Sequence, residues 1–184
     1  MSMSLSLHTV SDSDIKDIEQ DPLLLDILHS GEISDPSSLE DLSESKKEFI
    51  VNWKPKEDSQ VFYVEASFQS LHYLLTQEAD WGKGMFPLNF LTGSRLDIGE
   101  IGWGSATFYN SDEVKQISDA LEKLNYEELR KRYNADFYNE KEIYPRGYKW
   151  MPEDIDNLLT KLKELSAFLR QIKEKGLGIY RILV

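Results

Sequence analysis

Apolar residues recur along this chain at changing intervals, and each interval predicts an element. Residues 4–10, "SLSLHTV", alternate apolar and polar with Leu5 and Leu7 on one side, the two-residue period of a half-buried strand. Ser11 or Asp12 is placed to cap a helix, and Asp12, Asp14 and Asp17 suit the positive end of its dipole. Pro22 is expected to open a second short helix, "PLLLDILHS", stopped by Gly31. Residues 31–48, "GEISDPSSLEDLSESKKE", are rich in Ser and acid, which predicts a mobile acidic surface loop with one helical turn at "SSLEDL". "EFIVNW" reads as a short strand and "KPKEDS" as a turn. "QVFYV", near 60–64, reads as a further strand by its β-branched and aromatic content.

From Glu65 the period becomes helical. Phe68, Leu71, His72 and Leu75 fall on one helical face. Residues 77–104 follow, punctuated by glycine at 82, 84, 93, 99, 102 and 104. This segment is expected to be irregular, with a short helix over Met85–Leu91 begun near Pro87 and a glycine turn before the next strand. "SATFYN", near 105–110, is that strand, and Ser111 then caps a helix carrying Val114, Ile117, Leu121 and Leu124 at spacings of three and four. "YEELRKRY" predicts one more short helix, and "NADFYNEKEIYPRGYKW" a helical turn with an extended loop.

The strongest helical signal lies near 152–175. Pro152 opens it, and Ile155, Leu158, Leu159, Leu162, Leu165, Leu169 and Ile172 form its apolar stripe. Lys173 and Lys175 suit its negative end, and Gly176 ends it. "GIYRILV", near 178–184, closes the chain as a strand, placed centrally because it is so apolar. Helices and strands mix without a βαβ rhythm, so the class is α+β. The chain of 184 residues is expected to form a single domain, with helices packed on a small mixed or antiparallel sheet.

Composition narrows the setting. Apolar residues make up 40% of the chain, enough for a core, yet no stretch reaches the roughly 18 apolar residues of a membrane span. The N-terminus lacks the Lys or Arg and the long apolar run of a secretory signal. There are no cysteines, which removes disulfides, thiolate zinc sites and Cys nucleophiles together. A cytoplasmic protein is expected.

Charge narrows the partners. The net charge is −12, and residues 1–60 hold most of it, with 14 Asp and Glu against 5 Lys. Such a chain repels nucleic-acid backbones and anionic membranes, whose recognition rests on clustered Lys and Arg. A basic protein surface is the partner that the charge favours. The competing reading is that acidity only keeps the protein soluble.

The candidate chemistries are weak. A phosphate loop needs the order strand, glycines, helix, whereas Gly99, Gly102 and Gly104 precede a strand and are spaced GxxGxG. "GKG" at 82–84 lacks the Ser or Thr that follows a P-loop Lys. His8, His29 and His72 show no i, i+4 pair, there is no HExxH, and there is no EF-hand loop, so no metal site is expected. "GxSxG" is missing, and no catalytic residue and no cofactor can be assigned. His72 sits among Leu71 and Leu75, the setting of a packed, hydrogen-bonded core histidine as much as of a catalyst. Trp103, Tyr109, Tyr144, Tyr148 and Trp150 could line a pocket or a partner-binding face, or pack the core.

The order of several segments resembles the YfbM-like family of bacterial proteins of unknown function. These are "LHYLLT", "PLNFLTG", the glycine turn leading to "FYNSDEV", and "ELRKRYNADFYNEKEIYP", followed by the long final helix and the apolar last strand. The opening "MSMSLSLHTVSDSDIKDI" is similar to that family's start, and residues 31–60 match least. Phe68 stands where the pattern usually has Trp, and Gln77 where "LHxLLT" runs on to Gly, which questions the local helix end. The resemblance implies a cytoplasmic α+β protein, with no activity and no catalytic residue to carry over.

Two functions stay open. One is a non-enzymatic acidic binding protein, in its sharper form an inhibitor or immunity-type protein for a basic partner. The other is an enzyme or small-ligand binder with a pocket near His72, Tyr144 and Trp150. The ligand or partner contacts to look for are His72, Trp103, Tyr109, Tyr144 and Trp150.

Overall fold

The computed structural model describes residues 3–93, 95–101 and 104–184. Five strands form one open sheet: β1 (Leu5–Val10), β2 (Val61–Glu65), β3 (Leu96–Ile101), β4 (Gly104–Tyr109) and β5 (Gly178–Leu183). Their order is β2-β1-β5-β4-β3, and every neighbouring pair is antiparallel. The apolar closing strand β5 is central, as its composition predicts.

β3 corrects the sequence reading. Residues 96–101 are not a glycine turn but an edge strand paired with β4, and the pairing slips between Ile98 and Glu100. Gly99 occupies that bulge at φ +61, and a Cβ there would meet Leu25 Cδ2 at 2.7 Å. A glycine at a bulge is what a left-handed backbone and a close neighbour require. It also breaks the alternation that would otherwise mark Leu96 and Ile98 as strand residues.

The sheet separates two cores. Leu5, Leu7, Val64, Tyr109 and Ile179 face one side, toward α4 (Phe68–Thr76), α5 (Ser111–Glu122), α6 (Tyr126–Arg132), α7 (Ala135–Glu140) and α8 (Asp154–Lys175). The stripe Ile155, Leu158, Leu159, Leu162, Leu165, Leu169 and Ile172 buries α8 here. Each such side chain contributes about 2 kcal/mol of transfer free energy. Val10, Ile98, Ala106, Phe108, Tyr180 and Ile182 face the other side, toward α1 (Asp12–Gln20), α2 (Leu24–Ser30) and α3 (Glu44–Asn52). These are eight α-helices among the described residues.

Several helix ends follow the sequence closely. Ser11 caps α1 by accepting from the Asp14 N–H, and Gly31 and Gly176 end α2 and α8 in the left-handed conformation. α4 ends on Gln77 at φ +62, the position where the resemblance expects Gly. The Gln77 side-chain amide donates to the Tyr73 carbonyl at 3.0 Å, so the cap is kept without glycine.

Other local expectations are corrected. "EFIVNW" is not a strand; it belongs to α3, which Ser43 caps by accepting from the Lys46 N–H. Only Ile50 of that helix is buried, so its apolar run carries no helical period to read. The acidic segment 31–48 holds a 3₁₀ turn at Pro36–Leu39 and the start of α3. Met85–Leu91 forms hydrogen-bonded turns, such as Phe90 N–H to Pro87 O at 3.3 Å, and not a helix. The cap of α5 is Asn110, one residue before Ser111, in a reciprocal capping box with Glu113.

Candidate functional site

A broad concavity lies on the face of α2 and α3. It is a cleft of about 710 Å³ bounded by the end of α2, the 3₁₀ turn, the end of α3 and residues 53–59. Ile27, Leu28, Ile33, Leu39, Val51 and Trp53 make an apolar floor. Glu32, Glu57 and Asp58 stand on its rim with one cation, Lys54. Val51 is 64% exposed, an unusual state for a β-branched apolar residue on a helix, and Phe49 beside it is 51% exposed.

The acidic first third builds this cleft as well as lining it. Asp26 accepts from the Ser34 N–H at 3.0 Å and folds the chain back after Gly31. Asp35 accepts from the Ser37 N–H and hydroxyl, which holds its carboxyl below the usual range and starts the 3₁₀ turn. Asp17 accepts from the Trp53 indole N–H at 3.0 Å, fixing the floor. Asp14, almost wholly buried, accepts from the Lys56 N–H at 3.1 Å and anchors the far wall. The carboxylates therefore divide into structural ones and solvent-facing ones. Glu19, Glu32, Glu40, Asp41, Glu44, Glu48, Glu57 and Asp58 are the solvent-facing set, and Asp35 is exposed as well as structural.

His72 lies inside the other core at 0% exposure. Its Nδ1 is 3.0 Å from Thr92 Oγ1, and the Asp80 backbone is also hydrogen bonded to the ring. Burial pushes the imidazole down to about 4, so it is neutral at pH 7. Tyr109 is equally buried, donates to the Phe90 and Gly93 carbonyls at 2.8 and 3.0 Å, and is pushed up to about 12 by burial. Tyr144 packs its ring on Phe68 with centroids 5.4 Å apart, and its hydroxyl meets the Met3 backbone. Trp150 donates its indole N–H to the Ile143 carbonyl at 2.9 Å and packs edge-on against Tyr138 and Tyr148. Trp103 lies outside the described residues.

Trp150 borders two surface hollows of about 240 and 610 Å³, and neither His72 nor Tyr144 is in the wall of either among the described residues. His72, Tyr109 and Tyr144 are instead packing and hydrogen-bonding groups within the core.

Two associations escaped the sequence. His8 and His29, 21 positions apart in the chain, bring their rings within 5.6 Å on the sheet face, where His8 also stacks on Tyr180 at 4.8 Å. Burial and the neighbouring His29 push His8 down to about 4. Among the described residues no group of three or more His, Asp or Glu side chains is placed to hold a metal ion. The second is Arg181 on β5, whose guanidinium donates to the Phe90 carbonyl at 2.9 Å and to Thr107 Oγ1 at 3.1 Å. A charged residue inside the apolar run "GIYRILV" was the available signal, since an unpaired cation seldom sits within a core strand.

Comparison with known proteins gives the family and leaves the activity open. A crystal structure of YfbM from Escherichia coli, a protein of unknown function, is similar with a TM-score of 0.67 at 17% identity, covering 98% of this chain and 99% of that one. At that identity the likeness is one of fold. No curated protein matches the chain. No helix among the described residues is long and apolar enough to cross a membrane. The family model for a domain of unknown function, DUF1877, matches residues 1–180, and the chain belongs to that family.

Proposed function

We propose that this protein is a non-enzymatic binding module whose cleft between α2 and α3 receives a basic segment of another protein. The observation that carries the reading is the meeting of an apolar floor with an acidic rim at one place. An apolar anchor entering over Val51, Leu39 and Trp53 leaves an adjacent Lys or Arg beside Glu32, Glu57 and Asp58. Anchors of this kind dominate interface energies, and a charged rim sets partner choice. The excess acid of the first 60 residues raises the encounter rate with a cationic surface. In its sharper form the protein acts as an inhibitor of the immunity type, masking a basic partner in the cytoplasm.

Selection of displayed random peptides on the purified protein tests the reading. Enriched peptides should place Lys or Arg next to a bulky apolar residue, and their binding should weaken as salt rises. The double charge reversal Glu57→Lys with Asp58→Lys, at exposed positions, should abolish binding while leaving the melting temperature nearly unchanged. Neutral or acidic enriched peptides, or binding indifferent to the charge reversal, overturn the proposal.

A further inference from the structure

A second, smaller cavity opens on the opposite side of the sheet from the cleft. It measures about 170 Å³ and is lined among the described residues by Leu5, Phe68, Trp81, Leu91, Thr92, Gly104, Ser105, Arg181 and Leu183. Ser105 and Trp81 are exposed and mark its mouth. Phe68, Leu91 and Leu5 are buried and form its inner wall.

The polar groups in this wall are few and directed. Arg181 uses one N–H on each terminal nitrogen, toward Phe90 and Thr107. Its remaining donors have no acceptor among the described residues. The Thr107 hydroxyl accepts from Arg181 and donates to Asp97 at 2.7 Å, so a carboxylate lies one group removed from the guanidinium. Thr92 brings a hydroxyl held by His72 and by the Gly82 N–H, 3.2 Å away. Ser105 contributes a hydroxyl with no protein partner among the described residues. Among the described residues the rest of the wall is hydrocarbon, the Gly104 backbone and the Trp81 indole.

The three buried residues singled out in the sequence stand one layer behind this cavity. His72 fixes Thr92, Tyr144 packs against Phe68, and Tyr109 shares the Phe90 carbonyl with Arg181. A cavity whose walls are each fixed from behind keeps its shape, which lowers the ordering cost of filling it.

We infer that this cavity binds a short-chain monocarboxylate, with Arg181 taking the carboxylate and Phe68, Leu91 and Leu183 taking the alkyl end. A guanidinium offers a planar fork that matches a carboxylate. A phosphate fits less well, because among the described residues the wall supplies neither a second cation nor a row of backbone N–H groups to hold a dianion. The chain's net charge of −12 disfavours multiply charged anions further. Burial pulls the Arg181 guanidinium below its usual range, while Tyr109 and Asp97 act on it in the opposite sense.

The test follows the Trp81 indole cross-peak in ¹H–¹⁵N spectra while butyrate, 1-butanol and butylammonium are titrated in turn. Trp81 lines the cavity and packs edge-on against Phe68 at 5.1 Å, so a ligand there moves its resonance. Butyrate should shift the peak saturably with a dissociation constant on the order of 1 mM, as expected for so few atoms. Butanol and butylammonium should not. Arg181→Lys should weaken butyrate binding at least about tenfold by losing the fork. Should that variant fail to fold, Ser105→Phe, at an exposed position, obstructs the mouth and should abolish the shift with the melting temperature retained. The absence of a saturable shift, an equal response to butanol, or an unchanged response in Ser105→Phe overturns the inference. This outcome is independent of peptide binding in the cleft, since the two sites share no residue.

Discussion

His72 Nδ1 stands 3.0 Å from Thr92 Oγ1, with the imidazole wholly removed from solvent. The pair joins α4 to the turn segment that carries Phe90. The ordinary value of 6.5 falls to about 4 in the folded chain, because burial penalises the cation and Arg181 lies near. Between those values the unfolded chain binds more protons than the folded one, so stability rises with pH across the window. It is therefore full above about pH 6.5 and lost as pH falls toward 4. Between pH 7 and pH 5 the loss from His72 amounts to about 2 kcal/mol. His8, also held at about 4, adds a second contribution of the same sign. Urea denaturation at the two pH values measures the slope, and His72→Asn, which keeps a hydrogen-bonding atom and does not titrate, should reduce it.

The Thr107 hydroxyl links Arg181 to Asp97. It is 2% exposed, accepts at 3.1 Å from the guanidinium and donates at 2.7 Å to the carboxylate. Thr107→Val keeps the shape and removes both bonds. The expected cost is about 1 kcal/mol, because the half-buried Arg181 loses an acceptor while the exposed Asp97 turns to water instead. Thr107→Ser, which retains the hydroxyl, should cost less, and chemical denaturation of the two variants separates them.

How much was legible depends on whether one face of an element decided its period. α8 and β5 were readable because their buried residues repeat without interruption. α3 misled because its three consecutive apolar residues, Phe49, Ile50 and Val51, send only Ile50 inward. β3 was hidden by Gly99, whose bulge interrupts the strand at its centre. For the sites, charge was legible and position was not. The sequence showed an acidic first third, but not that Asp14, Asp17 and Asp26 would be used to build a cleft for the others to rim. Arg181 was visible as one cation in an apolar strand, yet its cavity is assembled from six chain segments and has no linear signature.

Gly99 should be intolerant of any side chain. Its φ of +61 already disfavours other residues, and the added Cβ of Gly99→Ala would lie 2.7 Å from Leu25 Cδ2, a buried side chain on α2. Left-handed strain and the contact together should cost about 2 kcal/mol. Leu25→Ala in the same chain opens space at that point. The double variant should then lose less than the sum of the two single losses, a coupling that a thermodynamic cycle measures.

Asn110 and Glu113 close the first turn of α5 reciprocally. The Asn110 side chain accepts from the Glu113 N–H at 3.0 Å, and Glu113 accepts from the Asn110 N–H at 3.1 Å. Arg95, just before β3, also pairs with Glu113 at 2.8 Å. Asn110→Ala should cost about 1 kcal/mol, and Asn110→Asp should recover most of it. Thermal melts read both. Ser111→Ala tests the alternative cap suggested by the sequence, and its loss should come from the Ser111 hydroxyl bond to Asp12 rather than from the cap itself.

Neutralising acidic residues in the first third should divide them into two classes. Asp12 accepts from the Ser111 N–H at 2.8 Å and from its hydroxyl at 2.6 Å, at the positive end of α5. Asp14 and Asp17 hold the Lys56 N–H and the Trp53 indole. Each bond is charge-assisted, so Asn at position 12, 14 or 17 should cost about 1.5 to 3 kcal/mol despite relieving net charge. Gln at Glu40 or Glu48, both exposed, removes the same unit of charge and touches no such bond. Those variants should stay within about 0.5 kcal/mol of the parent. If acidity served solubility alone, all positions would respond alike in stability; a gap between the two sets in denaturation midpoints shows that part of the charge is there to hold the fold. The exposed set is then the part free to meet a cationic partner, and Gln at Glu57 or Asn at Asp58 should lower peptide affinity while leaving those midpoints in place.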